Sequence, residues 1–200
     1  LKVSKSPLPT SKYILFLYSQ AYKDLTMPIK KYVILDSNPK AVGNNDFILL
    51  GLKATGFARG CPMLFGGTAD AKDGPVDGKN FALNVIKRET WEETLKNIEV
   101  NQVVRYQAYP NDISVYTSND FIFTGQVTLG GEFAWIRKVS KGKLKAYFQN
   151  KPSATKDMFA QELFSMTADP NIDPTEGEFE AYLGSDSLSA IYSYCKATCK

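Results

Sequence analysis

Lys87-Arg88-Glu89-Thr90-Trp91-Glu92-Glu93-Thr94-Leu95-Lys96 crowds three carboxylates into two helical turns. On a helix, Glu89, Glu92 and Glu93 stand at i, i+3 and i+4 and project from one face. Like charges at that spacing repel and weaken the helix that carries them. Two neutralisers suit such a face. One is a hard divalent cation with its preference for oxygen ligands; the other is Arg88, whose guanidinium can fork one carboxylate. A solvated acidic face bracketed by Lys87 and Lys96 is the plain alternative, and the residues upstream bear on the choice.

Working outward, the spacing predicts a helix from about Asn80 to Asn97, with Asp77 or Asn80 as cap and Ala82, Val85 and Ile86 as its inward stripe. Before it, Pro62-Met63-Leu64-Phe65 reads as extended and ends in Gly66-Gly67, and a Gly-, Asp- and Pro-rich loop follows to Gly78. Residues 31–36 and 46–53 read as two strands joined by turn chemistry. Further strands are predicted at 100–109, 114–116, 121–127 and 133–139, and helices at 157–166 and 188–195, with Pro170 and Pro174 marking a loop between them. Residues 11–22 read equally as a short helix or an apolar strand. Strands on both sides of an embedded helix, with a helix at the end, predict a mixed α/β layered domain.

Two hundred residues suffice for one domain with a real core. The net charge of +3 is small and no Lys/Arg block occurs, so no nucleic-acid surface is expected. No window approaches twenty apolar residues, so no membrane span is expected. The run Tyr13–Tyr18 follows Lys2, Lys5 and Lys12, but Pro7-Leu8-Pro9 interrupts it, and a secretory signal is not expected. The expected compartment is the cytoplasm, although a secreted protein has room in the same composition and a chain starting at Leu1 reads as a processed fragment. Three cysteines do not form a disulfide framework. The chain has no histidine, which removes Ser-His-Asp and Cys-His catalysis. An enzyme built from this chain works through carboxylates, lysine, tyrosine, cysteine or a metal-bound water.

The order strand, Gly66-Gly67, loop, helix, Arg88-Glu89-x-x-Glu92-Glu93 resembles the Nudix hydrolase superfamily, whose signature is G-x5-E-x7-R-E-U-x-E-E-x-G-U, with U a bulky aliphatic residue. The match covers residues 62–98, with looser agreement over 31–127. Counted from Gly66-Gly67, the loop is about seven residues longer than the signature. Asn80 stands at the early glutamate, Thr90 at the first aliphatic position, Leu95 at the late glycine and Lys96 at the final aliphatic position.

The resemblance implies a Nudix-like α/β/α sandwich with a mixed central sheet, one domain over residues 1–200, with an inserted lid or subdomain at about 129–173. It implies that Glu92 and Glu93 ligate Mg²⁺ or Mn²⁺ with the Gly66 carbonyl, that Glu89 is a further ligand or the base, and that Arg88 holds one of these carboxylates. A late carboxylate joins many such sites, and Glu132 and Glu178 compete for that role. Lys53 and Arg59 are candidate phosphate contacts; Tyr106, Tyr109, Tyr116 and Trp135 are candidate stacking partners for a base. The implied activity is metal-dependent hydrolysis of a nucleoside diphosphate linked to another moiety, with ADP-ribose or an NAD(H)-like nucleotide favoured. A catalytically weak nucleotide-binding module is the alternative.

Overall fold

Strands that lie between two layers read as continuous apolar runs rather than alternating ones. β1 (Lys30–Asp36) and β2 (Phe47–Lys53) are of this kind. In the computed structural model, which describes residues 28–125 and 131–199, Val33 to Asp36 and Ile48 to Leu50 are all 0% exposed. The undecided segment at residues 11–22 lies outside the described residues.

β1 organises a mixed seven-stranded sheet. β7 (Ile113–Ser118) runs parallel to it, and β6 (Val104–Tyr109) pairs antiparallel with β7. The other edge of β1 is shared. β4 (Phe65–Thr68) takes residues 30–33, while β2 pairs only with Leu35 and Asp36. The rest of β2 is held by β9 (Phe133–Ser140) and, at its end, by β3 (Pro62–Met63). β2 and β4 thus diverge, and a wedge opens between them beside Gly66. A separate two-stranded sheet joins β5 (Ile98–Val100) and β8 (Phe121–Phe123).

Helix α1 (Phe81–Glu93) packs on β4, β1 and β5 through Phe81, Val85 and Ile86. Four more helices follow: α2 (Lys141–Asn150), α3 (Lys156–Thr167), α4 (Glu176–Leu183) and α5 (Asp186–Thr198). α2 and α3 pack against β9 and against α5. The hydroxyls of Ser140, Thr155, Thr175 and Ser185 cap these four by accepting a first-turn N–H. This is the layered α/β architecture with a mixed sheet that the sequence predicts. Residues 131–173 are built into it: β9 lies in the central sheet, and Leu144, Phe148, Phe159 and Leu163 enter the core.

Details of the sequence reading change. The strand predicted at 100–109 is broken into β5 and β6, and 121–127 yields only β8, with 126–127 outside the described residues. α2 and α4 are not predicted. Leu144, Tyr147 and Phe148 make too short an apolar stripe, and α4 begins within the stretch that Pro170 and Pro174 mark as loop. Helix α1 stops earlier than predicted because Leu95 and Lys96 turn left-handed, with φ of 49° and 69°. That conformation favours glycine. The signature has its late glycine where Leu95 stands, so the chain keeps the turn without the residue that adopts it at least strain. Among the described residues no helix is long and apolar enough to cross a membrane.

Both layers meet at one buried ion pair. Lys141 Nζ lies 2.9 Å from Asp36 Oδ2, both side chains are 0% exposed, and Tyr194 donates its hydroxyl to the same oxygen at 2.6 Å. Lys141 also donates to the Asn38 carbonyl at 2.6 Å, so β1, α2 and α5 are tied at one point. Asp36→Ala, which strands the ammonium, should cost about 3–5 kcal/mol in urea unfolding. Asp36→Leu combined with Lys141→Met should recover most of that loss, and a double variant as unstable as the single would refute the electrostatic account.

Candidate active site

The two glycines that open the motif meet different constraints. Gly66 has φ of 125°, and a Cβ there would stand 2.1 Å from the Lys31 carbonyl oxygen of β1. A Cβ on Gly67 would stand 2.4 Å from Glu89 Oε2. The first glycine lets β4 lie against β1; the second leaves room for a carboxylate. The Gly66 N–H donates to Glu93 Oε2 at 2.9 Å. Glu89 and Glu93 therefore stand side by side against the glycine strand.

Glu92 does not join them. At about 100° per residue, Glu93 lies about 40° from Glu89 around the helix, and Glu92 about 60° to the other side. Its side chain is 54% exposed and its Oε1 lies 3.5 Å from Lys72 Nζ. Glu93 is only 9% exposed. Burial pushes its carboxyl up to about 8, opposed by the Gly66 N–H and Lys53 and reinforced by Glu89 and Glu92.

Arg88 makes the clamp that the motif implies, and its anchor is a residue that sequence reading missed. Its Nε and Nη2 fork Asp73, each at 2.9 Å. Its Nη1 donates to Glu89 Oε1 at 2.6 Å and to Glu92 Oε2 at 3.3 Å, and Nη2 also reaches the Thr68 carbonyl at 2.8 Å. Asp73 lies in the long loop, on a 3-10 turn (Ala71–Asp73) closed by a capping box with Asp70. Asn84 Nδ2 donates to the Asp73 carbonyl at 3.0 Å, tying the turn to α1. The Asp70-x-x-Asp73 spacing was the readable signal. The extra loop length thus folds into a support for Arg88. Hydrogen bonding to Arg88 holds the Asp73 carboxyl below its usual range, and Asp73 in turn raises the guanidinium's pKa.

A cleft of about 400 Å³ fills the wedge between β2 and β4, lined by Tyr32, Lys53, Gly66, Glu89, Glu93 and Glu132 among others. Lys53 and Glu132 form an ion pair across it. Glu178 faces elsewhere. It caps α4 by accepting the Thr175 N–H at 2.7 Å and the Thr175 hydroxyl at 2.9 Å, which lower its pKa, and Arg59 Nη1 lies 3.9 Å away. Arg59 also donates to the Asp173 carbonyl at 3.2 Å, and neither residue lines the cleft. Of the two late carboxylates, Glu132 is the one at the cleft. Of the four aromatic candidates, none lines it; Trp135 lies under the Arg137 guanidinium at 4.6 Å. Asn80 sits at the opposite end of α1, roughly 20 Å from Glu93.

Among the described residues no three Asp, Glu or Cys side chains gather closely enough to form a ready-made metal cluster. Convergence of all three glutamates on one point is therefore not found. The remaining donor set still fits a hard cation. Among the described residues, Glu89 Oε2 and Glu93 Oε1 make no hydrogen bond, and the first lies over the space that a Cβ on Gly67 would fill.

No protein-family model and no curated protein sequence matches this chain. Solved structures do. A Mutator MutT protein from Bacillus halodurans matches at 15% identity over 80% of this chain and 85% of that one, with a TM-score of 0.40. The Nudix domain of Shewanella oneidensis NrtR, solved with ADP ribose, matches at 16% identity over 79% and 96%, again at 0.40. A Nudix hydrolase from Nitrosomonas europaea matches at 13% identity over 83% and 73%, at 0.38. The second and third of these bear the Nudix name. Likeness at this level assigns no role to any residue.

Asp73→Asn should destabilise the protein by about 1–3 kcal/mol at neutral pH. Because the folded carboxyl titrates below its ordinary 3.8, this difference is fully present above that pH and fades as pH falls below it. Urea unfolding of both proteins at pH 6 and pH 3 checks the sign; a gap that widens at pH 3 would refute the assignment.

Proposed function

We propose that this chain is a metal-dependent, Nudix-type pyrophosphohydrolase acting in the cytoplasm on a nucleoside diphosphate linked to another moiety. The observation that carries the reading is the pairing of Glu89 and Glu93 against Gly66-Gly67, with Arg88 anchored on Asp73 behind them. Mg²⁺ or Mn²⁺ held by these two carboxylates would neutralise charge on the diphosphate oxygens and activate the attacking water. Glu92, named as a ligand by the motif, acts in this reading through Arg88 as a positioning residue.

The protein's own groups do the rest. Arg88 fixes Glu89 so that one oxygen stays bonded and the other faces the cleft. Lys53 places an ammonium on the cleft wall, where it contacts a phosphate once Glu132 yields it. Glu132, released from that pair, is the late carboxylate of the site. Tyr32, Phe57 and Met63 line both this cleft and an adjoining lobe of about 310 Å³, which offers an apolar wall to a nucleoside. ADP-ribose or an NAD(H)-like nucleotide is the favoured substrate. The outward turn of Glu92 and the Asn80 position favour a second reading, a nucleotide-binding module that hydrolyses little.

Incubation with Mg²⁺ or Mn²⁺ and a panel of ADP-ribose, NADH, dinucleoside polyphosphates, CoA and nucleoside triphosphates separates the two. Metal-dependent release of nucleoside monophosphate, reduced ~10²-fold or more in Glu89→Gln and Glu93→Gln, is the expected result. Ligand binding without turnover would favour the module, and neither binding nor turnover would refute both readings.

A further inference from the structure

Successive side chains of β1 alternate between the faces of the sheet. Lys30 and Tyr32 line the acidic cleft, and Lys31 lines a second cleft at the start of α1. This second cleft is the larger, at about 830 Å³. Among the described residues its walls carry three cations, Lys31, Lys79 and Arg105, and no carboxylate.

The sheet register places two of the cations. Lys31 pairs with Ser114 and Arg105 with Tyr116, and Ser114 and Tyr116 share a face of β7. Lys31 and Arg105 therefore flank β7 on one face, with backbones about 12 Å apart across two strand spacings and two residues of offset. Lys79 comes from the loop before α1, so three separate segments deliver positive charge to one concavity. Lys31 Nζ lies 3.3 Å from Ser114 Oγ. Among the described residues none of the three cations makes an ion pair. Burial, and after it the nearby Arg105 charge, lower the pKa of Lys31, with Asp112 opposing. The positive end of α1 also abuts the cleft, where the Asn80 side chain makes no capping hydrogen bond.

We propose that this basic cleft binds a phosphorylated small molecule of nucleotide size carrying a diphosphate, at a site separate from the acidic cleft. The volume lies within the range of small-molecule sites. A single phosphate fills little of it, whereas a diphosphate with its attached group fills far more and presents two phosphates to three cations. The half-buried ring of Tyr116 forms part of the wall between Lys31 and Arg105. The two clefts share no lining residue, and along α1 Leu83 of the one and Glu89 of the other stand about 9 Å apart, so the proposed site is distinct from that of Glu89 and Glu93.

The test is calorimetric titration of the full chain with pyrophosphate, ADP and inorganic phosphate in EDTA, so that no divalent cation recruits them to the acidic cleft. Pyrophosphate and ADP should bind, and more tightly than inorganic phosphate. Lys79→Gln combined with Arg105→Gln, both at exposed positions, should weaken binding at least tenfold, while Glu89→Gln should leave it unchanged. Absence of binding at millimolar pyrophosphate, equal affinity in the double variant, or loss of binding in Glu89→Gln would overturn the proposal. Binding of a single-stranded RNA that pyrophosphate does not displace would also overturn it.

Discussion

One edge of a strand cannot pair with two neighbours over the same residues. β4 occupies the edge of β1 at residues 30–33, so β2 can hold it only at Leu35 and Asp36 and must leave to join β9. The wedge that results is where the candidate site lies, and its walls are set by backbone pairing rather than by flexible loops. Gly66 is the pivot of this arrangement. Any side chain there would collide with the Lys31 carbonyl and force β4 away from β1. The same β4 backbone offers the N–H that receives Glu93.

Within that frame two electrostatic terms oppose one another. Burial of Glu93 beside Glu89 disfavours two negative charges, and one pKa unit corresponds to about 1.4 kcal/mol between protonation states. Arg88 relieves part of the strain on the Glu89 side, but its guanidinium is already forked by Asp73. The acidic pair is left under-neutralised in a partly closed cleft, a condition that suits a cation ligand better than a structural ion pair. The buried Lys141–Asp36 pair is the contrast: there both charges are matched, Tyr194 completes the bonding, and the role is to join layers.

The hairpin strands, the glycine pair, the acidic helix and the Arg88 clamp were legible because each rests on local spacing. The apolar runs at 31–36 and 46–53 could only be buried strands or short buried helices, and the turn residues between them decided for strands. What was not legible depended on partners distant in sequence. Asp73 gives no sign of its role until the loop folds back on Arg88, 15 residues on. Glu132 and Glu178 look alike in sequence, and only the pairing of β9 with β2 and the cap of α4 separate them. α2 and α4 escaped because their apolar faces are short and their helicity depends on packing and on their Ser and Thr caps.

The sequence by itself determined that chemistry here excludes imidazole, that an acidic helix follows a glycine-ended strand, and that the chain folds as layered α and β, since these follow from residue type and periodicity. The tertiary structure decided which carboxylates meet. A helix turns about 100° per residue, so a motif fixes the angles between Glu89, Glu92 and Glu93 but not which of them faces the sheet. That choice was made by the packing of Val85 and Ile86 beneath α1 and by the glycine strand opposite it, which drew Glu89 and Glu93 inward and left Glu92 to solvent.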